Sequence, residues 1–238
     1  MRIAILLIMF LASPGLHAGA PDLAAIEQQL AKMMPGEKPD SIIESPIPGL
    51  YEVAFGPEIF YITRNGRYVV QGDVFDVKDR MDNLTEKTRS VGRRELIATI
   101  DESTMIVFRA PTEKYVVTVF TDVDCTYCRK MHREMADYNR EGITIRYLSY
   151  PRSGLNTPSA EKAVSVWCAA DRNAALTLAK TGEIPEVRKC RNPVADHMAV
   201  AAKIGLTGTP TLVLADGTML PGYVEPKRLA GFLAQSHQ

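Results

Sequence analysis

The 238-residue sequence has no excess of charge of either sign, because 28 Lys and Arg residues balance 28 Asp and Glu residues. Without a basic surplus we expect no nucleic-acid partner, and without an acidic run we expect no solvated tail. Internal repeats and low-complexity tracts are also absent from the sequence. Hydrophobic residues make up 46% of the chain and charged residues 24%, so there is enough apolar material for a folded core.

Spacing typical of a metal site is missing as well. A zinc site built on a C-x-x-C pair needs a second pair, or Cys and His partners at close spacing. The other two cysteines lie 22 residues apart, and the histidines follow no ligand pattern: His17, His132, His197 and His237. We therefore expect neither a metal nor another cofactor.

Only the N-terminus contains an extended hydrophobic run. Arg2 gives a positive start, residues 3–12 are apolar, and Ala18-Gly19-Ala20 supplies small residues for cleavage. An apolar run of about ten residues is too short to span a bilayer. The pattern predicts a cleaved signal peptide over residues 1–20 and a soluble, exported mature protein. An uncleaved anchor or a buried N-terminal helix is the alternative.

Residues 21–75 are predicted to form a small α+β domain. Apolar residues have helical spacing over 23–34, and several short runs rich in β-branched and aromatic residues follow between residues 42 and 70. Asn65-Gly66 predicts a two-residue type I′ hairpin turn. Because a unit of this size buries little core by itself, it indicates a dimer.

Residues 76–103 are predicted to be a helical linker. The stretch 76–99 is highly charged and lacks proline, which favours a solvent-exposed connecting helix. A surface helix within one continuous domain is the alternative.

Residues 104–238 have the pattern of an α/β domain. Strands are expected at 105–108, 115–120, 143–148, 211–214 and 218–220. Helices are expected from the C-x-x-C pair to about Tyr138, after Thr157 as N-cap, after Pro193, and over 226–233. Trp167 is expected in the core.

The four cysteines fall into two pairs in an oxidising compartment. Cys125 and Cys128 form a C-x-x-C motif, which is normally a redox pair, and this leaves Cys168 with Cys190 as a structural disulfide. Cys125 follows a strand and begins a helix, whose N-terminus stabilises a thiolate. Cys125 is therefore expected to be the exposed attacking thiol, and Cys128 the deeper resolving thiol. Half a zinc site and a structural bridge within the motif are the alternatives.

The C-terminal part contains, in order, a strand, the motif Phe-Thr-Asp-x-x-Cys-x-Tyr-Cys, a helix, and Gly-Thr-Pro before Thr-Leu-Val-Leu. This arrangement resembles the thioredoxin-like domain of the DsbC/DsbG family of periplasmic disulfide isomerases. Residues 49–76, with Phe60-Tyr61 and Gln71-Gly72-Asp73, resemble the family's N-terminal cystatin-like dimerisation domain. The pair Cys168/Cys190 matches its structural disulfide. The resemblance implies a homodimer with two active sites facing a cleft, and reduction by the membrane reductase DsbD.

The resemblance also implies a substrate-binding site. Thr209-Pro210 is expected to form a cis-proline loop that faces the redox helix and pairs with a bound peptide, and Tyr127 is expected to contact substrate. The leading hypothesis is a periplasmic isomerase acting on misoxidised exported proteins, with chaperone activity. The alternatives are a DsbG-like reductase of oxidised single cysteines and a holdase-type chaperone.

Two positions depart from the expected pattern. Thr126-Tyr127 replaces the Gly-Tyr pair typical of the family, and such residues tune the reduction potential. Val119 stands six residues before Cys125, where thioredoxins carry a buried carboxylate. No acid in the sequence obviously replaces that carboxylate as proton acceptor.

Overall fold

The computed structural model describes residues 23–236, so the expected signal peptide lies outside the described residues. Helix α1 (Leu23–Met33) is followed by strands β1 (Ser41–Glu44), β2 (Leu50–Phe55), β3 (Glu58–Thr63) and β4 (Val69–Val70). The four strands form an antiparallel sheet in chain order. Ile26 and Leu30, one helical turn apart on α1, pack against Tyr51, Val53, Phe60 and Ile62 of this sheet.

The turn between β3 and β4 differs from the predicted two-residue type I′ turn. Gly66 has a φ of +68°, but Asn65 does not adopt the left-handed conformation that this turn type requires. The Asn65 side chain instead accepts hydrogen bonds from the Thr63 hydroxyl (2.7 Å) and the Arg67 N–H (3.1 Å). The loop therefore spans the five residues 64–68, and the type I′ assignment was wrong.

The charged segment 76–99 is not helical from its start. Strands β5 (Phe75–Asp76) and β6 (Asp82–Asn83) form a small antiparallel ribbon, and helix α2 (Leu84–Ala98) begins only after it. The Asn83 side chain caps α2 by accepting a hydrogen bond from the Glu86 N–H at 2.9 Å. The helical prediction was therefore wrong for residues 76–83.

The C-terminal part combines a five-stranded sheet with six helices. Its strands are β7 (Ile106–Phe108), β8 (Tyr115–Thr121), β9 (Ile143–Ser149), β10 (Thr211–Val213) and β11 (Met219–Pro221), in the spatial order β11-β10-β8-β9-β7. Strands β8 and β9 are parallel and the other neighbours are antiparallel. The helices are α3 (Thr126–Arg133), α4 (Met135–Arg140), α5 (Pro158–Trp167), α6 (Arg172–Thr181), α7 (Val194–Lys203) and α8 (Pro226–Ser236). The predicted mixture of α+β and α/β architecture is confirmed.

Two features of these helices differ from the sequence prediction. The helix expected to run from the C-x-x-C pair to Tyr138 is interrupted at Glu134, whose φ of −96° and ψ of 16° lie outside helical geometry. Helix α6 was not predicted at all. No helix of the described residues is long and apolar enough to cross a membrane.

Strand β8 lies at the centre of the C-terminal core. Val117, Val119 and Phe120 are fully buried, which explains why this strand is almost continuously apolar. Trp167 is buried as expected, and its indole N–H donates a hydrogen bond to the Thr104 carbonyl at 2.9 Å.

Helix α2 packs against both sheets instead of lying free in solvent. Gly92 lies so close to the β2–β3 turn that an added Cβ would overlap the backbone of Gly56. On the C-terminal side, the fully buried Arg93 donates a hydrogen bond to the Gly217 carbonyl (2.5 Å) and pairs with Glu86 (2.9 Å). The prediction of a solvent-exposed connector was therefore wrong for this face of the helix.

Candidate active site

The loop after strand β8 positions the cysteine pair. Asp122, which is 3% exposed, accepts hydrogen bonds from the backbone N–H groups of Asp124 (2.8 Å) and Arg152 (3.1 Å) and from the Ser159 hydroxyl (2.9 Å). Burial raises the pKa of Asp122, but these hydrogen bonds outweigh burial and hold it below its usual value. The ionised carboxylate fixes the loop so that Cys125 becomes the N-cap of α3.

Both cysteines of the motif are reduced and buried, with exposed fractions of 2% for Cys125 and 1% for Cys128. The Cys125 sulfur accepts a hydrogen bond from the Cys128 N–H at 3.4 Å and, in its protonated form, donates one to the Thr209 carbonyl at 3.2 Å. The expectation that Cys125 is exposed was wrong, because the loop containing Thr209 lies against its sulfur.

The surroundings of Cys125 favour its thiolate form. The hydrogen bond from the Cys128 thiol lowers the pKa of Cys125 most strongly, and the Thr209 side chain, the Cys128 N–H and the positive charge of Arg152 act in the same direction. Burial opposes them, and the result is a pKa of about 5. Cys125 is therefore ionised at neutral pH, in the form that attacks disulfides.

The surroundings of Cys128 have the opposite effect. Burial raises the pKa of Cys128 far above that of a free thiol, and its hydrogen bond to Cys125 raises it further. The positive charge of Lys180 and the Thr121 hydroxyl act against this rise. The pair thus holds one ionised and one protonated sulfur, which suits attack by Cys125 followed by resolution by Cys128.

The low pKa of Cys125 has a measurable consequence for alkylation. The rate at which iodoacetamide modifies Cys125 in the reduced protein should be half-maximal near pH 5 and level at neutral pH, because only the thiolate reacts. Mass spectrometry of the alkylated peptide gives this rate. The urea-unfolded protein is the control and should react with a midpoint near pH 8.5, the value of a free thiol. A native midpoint as high as this would contradict the assignment of Cys125.

The Thr209–Pro210 peptide bond is cis, as the sequence predicts. The loop leads into β10, which pairs with β8 so that Thr211 lies opposite Phe120. This register places the loop beside the start of α3, where the sulfurs lie. Tyr127, between the two cysteines in sequence, is 61% exposed. A substrate-binding role for Thr209, Pro210 and Tyr127 stays a prediction.

Two charged residues of the site were not identified from the sequence alone. Arg152 follows β9 and pairs with the Asp122 carboxylate at 3.1 Å. Its position alone could have indicated it, because β8 and β9 are parallel and the residues after both strands meet at one edge of the sheet. Lys180 comes from α6, and nothing in its local sequence marks it as a neighbour of Cys128.

The two basic residues after the motif have defined partners. Arg129 donates a hydrogen bond to the Val123 carbonyl at 2.9 Å and pairs with Asp124 at 3.1 Å. The Lys130 ammonium is exposed but lies 4.2 Å from the centre of the Tyr223 ring, in a cation–π contact.

The second cysteine pair is separate from this site. Cys168 and Cys190 form a disulfide, with Cα atoms 5.7 Å apart, that joins the end of α5 to the segment before α7. A loop with a sequence separation of 22 residues corresponds to about 3 kcal/mol in the loop-entropy model. Within residues 23–236, no group of three or more His, Cys, Asp or Glu side chains is arranged to hold a metal ion.

Comparison with known protein families gives two matches along the chain. Residues 17–86 match the family model described as the disulfide bond isomerase protein N-terminal domain. Residues 102–237 match the model of a thioredoxin-like domain.

Individual proteins give the same result. The chain is 41% identical to the thiol:disulfide interchange protein DsbC of Escherichia coli K12 over 218 residues, which cover 91% of this chain and 89% of the relative. It is 39% identical to DsbC of Dickeya dadantii, over 98% of this chain and 94% of the relative. A crystal structure of a disulfide interchange protein from Neisseria gonorrhoeae superposes with a TM-score of 0.52 at 30% identity, covering 58% of this chain and 99% of that chain. The resemblance found in the sequence is thus confirmed, and the chain belongs to the DsbC family of thiol:disulfide interchange proteins.

Proposed function

We propose that this thiol-disulfide oxidoreductase is a periplasmic disulfide isomerase that reshuffles wrong disulfides in exported proteins. The observation that carries the proposal is the geometry of two adjacent buried cysteines: Cys125 caps helix α3, and its sulfur lies 3.4 Å from the Cys128 nitrogen and 3.2 Å from the Thr209 carbonyl. Cys125 has a pKa of about 5, whereas the pKa of Cys128 lies far above that of a free thiol. Cys125 is therefore poised to attack, and Cys128 does not compete with it for the substrate.

The reaction begins when the Cys125 thiolate attacks one sulfur of a substrate disulfide. A bond forms between Cys125 and that sulfur, and the other substrate sulfur leaves as a thiolate. A substrate thiolate can then attack the mixed disulfide, which releases Cys125 and leaves a rearranged substrate with no net change in oxidation. Alternatively, Cys128 attacks the Cys125 sulfur of the mixed disulfide. The substrate is then released reduced by two electrons, and Cys125 and Cys128 form a disulfide.

We assign substrate binding to the loop containing Thr209 and Pro210 and to Tyr127. Thr209 is in contact with the Cys125 sulfur, so a peptide paired with this loop would have its disulfide beside the attacking atom. The exposed ring of Tyr127 offers apolar surface next to it. Cys168 and Cys190 have a structural role in this assignment.

Reactivation of scrambled ribonuclease by catalytic amounts of the reduced protein tests this function. We expect ribonuclease activity to return faster than in glutathione buffer alone. A protein that reduces insulin but never reactivates ribonuclease would be a reductase, as in the DsbG-like alternative. A protein that only suppresses aggregation of a cysteine-free client would be a holdase, and its activity would not depend on Cys125.

We also propose a domain organisation of residues 21–75 for dimerisation, 76–103 as linker and 104–238 for catalysis, in a homodimer. Strand β4 forms one edge of the N-terminal sheet in the described part of the chain. Its residues Val69 and Val70 and the preceding Tyr68 are between 41% and 55% exposed. An apolar strand edge of this kind is a template for pairing with a second chain.

Replacing Val70 with lysine should convert the dimer to a monomer, because a charged side chain on an edge strand prevents strand pairing. Sedimentation velocity at micromolar concentration measures the change in mass. Val187→Lys is the matched control, since Val187 is even more exposed but lies in the C-terminal part. A Val70→Lys protein that sediments as a dimer would place the interface elsewhere.

The proposed cycle requires a reductant and a location. After Cys128 resolves a mixed disulfide, the pair needs two electrons, and we propose the membrane reductase DsbD as their source. The N-terminal pattern of residues 1–20 supports export to the periplasm. There the oxidising conditions keep the Cys168–Cys190 bond formed and supply misoxidised substrates.

A further inference from the structure

Lys180 is a buried cation behind the cysteine pair. Its side chain extends from α6 towards the end of β8, and the residue is only 2% exposed. The ammonium donates hydrogen bonds to the Thr121 hydroxyl (2.6 Å) and the Asp122 carbonyl (2.8 Å). Both acceptors are uncharged, and a fully buried lysine without a hydrogen-bonded carboxylate is rare in proteins.

Thr121 connects this cation to the resolving cysteine. Its hydroxyl accepts the hydrogen bond from Lys180, and the Thr121 side chain lowers the pKa of Cys128. The charge of Lys180 acts on Cys128 in the same direction. Thus the Lys180 ammonium is held at the end of β8, just before the cysteine pair, on a helix that packs against the helix of Cys128.

We propose that Lys180, held by the Thr121 hydroxyl and the Asp122 carbonyl, is a positioning residue for the resolving step, where its positive charge stabilises the Cys128 thiolate. The inference rests on the proposed function of the pair. At the position where thioredoxins carry a buried carboxylate this chain has Val119, so the charged group behind Cys128 is a cation that stabilises the thiolate, and the proton of Cys128 passes to solvent.

The assisted step is balanced in atoms and electrons. Cys128 loses its proton, and its thiolate forms a bond to the Cys125 sulfur while the bond between Cys125 and the substrate sulfur breaks. The substrate sulfur leaves with the electron pair and takes up one proton from solvent, which matches the proton that Cys128 released. The substrate disulfide is reduced by two electrons, and the cysteine pair is oxidised to a disulfide.

Lys180 keeps its charge at neutral pH. Burial lowers its pKa, and the positive charge of Arg129 acts in the same direction. The charges of Cys128, Asp122 and Cys125 oppose them, and the result is a pKa of about 8. Two titratable groups on neighbouring elements are neutral. Burial lowers the pKa of His132 of α3 to about 4, and it raises the pKa of Tyr147 of β9 well above its usual value. The ammonium lies 6.0 Å from the centre of the Tyr147 ring.

The two steps can be separated with dithiobis-nitrobenzoate. The reduced protein should release one thionitrobenzoate when Cys125 attacks and a second when Cys128 resolves the mixed disulfide, and stopped-flow absorbance follows both over a range of pH. Lys180→Met keeps the side-chain volume but removes the charge. An opposite charge at close range changes a thiol pKa by about one unit or more, so the midpoint of the second phase should rise by about one pH unit.

The rate change is smaller than the change in ionisation. A rise of one unit leaves about a tenth of the thiolate at neutral pH, but the more basic thiolate is roughly three times more nucleophilic. The second phase should therefore slow about fourfold, with the first phase little changed. Thr121→Val, which keeps Lys180 but removes the hydroxyl that holds its ammonium, should change the second phase in the same direction.

Lys162→Met is the control for loss of a positive charge, because Lys162 pairs with Asp124 near the surface at 2.9 Å. It should leave the second phase unchanged. An unaltered pH profile of the second phase in Lys180→Met and Thr121→Val would overturn the inference, as would equal slowing of both phases. If the wild-type protein fails to release the second thionitrobenzoate, the proposed function of the pair fails instead.

Discussion

Replacing Cys125 with serine should abolish the reactivation of scrambled ribonuclease, leaving only the rate of the glutathione buffer. A serine hydroxyl is not ionised at neutral pH and cannot form a mixed disulfide, whereas the Cys125 thiol has a pKa of about 5. No other reduced cysteine replaces it, because the high pKa of Cys128 keeps that buried sulfur protonated. The recovery of ribonuclease activity measures the loss, and a variant with wild-type recovery would contradict the assignment of Cys125.

Cys128→Ser is the matched variant, because it removes one sulfur from the same motif and leaves the nucleophile. We expect it to retain part of the isomerase activity, since a substrate thiol can still release Cys125. Insulin reduction should be lost, and mixed disulfides should accumulate on non-reducing gels. Together the two variants distinguish attack from resolution.

The local part of the site could be predicted from the sequence. A strand, a C-x-x-C pair and a helix follow one another within about twenty residues, so Cys125 and Cys128 can be assigned without tertiary information. The cis-proline loop was predicted from Gly-Thr-Pro together with the upstream cysteine pair, since the motif alone is equally typical of an ordinary loop. The exposure of Cys125 was not, because it depends on how closely the loop of Thr209 approaches the sulfur.

The charged residues around the sulfurs could be identified only from the fold. Lys180 is 52 residues beyond Cys128 in the numbering and reaches it only because α6 packs against α3. The sequence showed only that Val119 stands where thioredoxins carry a buried carboxylate, whereas the structure places a buried positive charge, Lys180, at the end of the same strand. In the N-terminal part, Asn65-Gly66 indicated a hairpin correctly, but the hydrogen bonds of the Asn65 side chain gave a longer loop.

The second large effect concerns the packing of α2. Gly92→Ala should destabilise the protein by about 3 kcal/mol, because the new methyl group would overlap the Gly56 backbone, and backbone atoms cannot rotate away as a side chain can. For a chain of this length the thermal midpoint should fall by roughly 6–12 °C. Circular dichroism measures the midpoint.

Gly231→Ala provides the matched control for Gly92→Ala. Gly231 also lies inside a helix, α8, but an added Cβ has no neighbour within 4 Å. There the substitution should stabilise the protein by about 0.4–1 kcal/mol, because alanine loses less backbone entropy on folding. If Gly92→Ala lowers the free energy of unfolding and Gly231→Ala raises it, the contact with Gly56 is responsible for the loss of stability. A Gly92→Ala protein as stable as wild type would mean that α2 does not pack this closely against the N-terminal sheet.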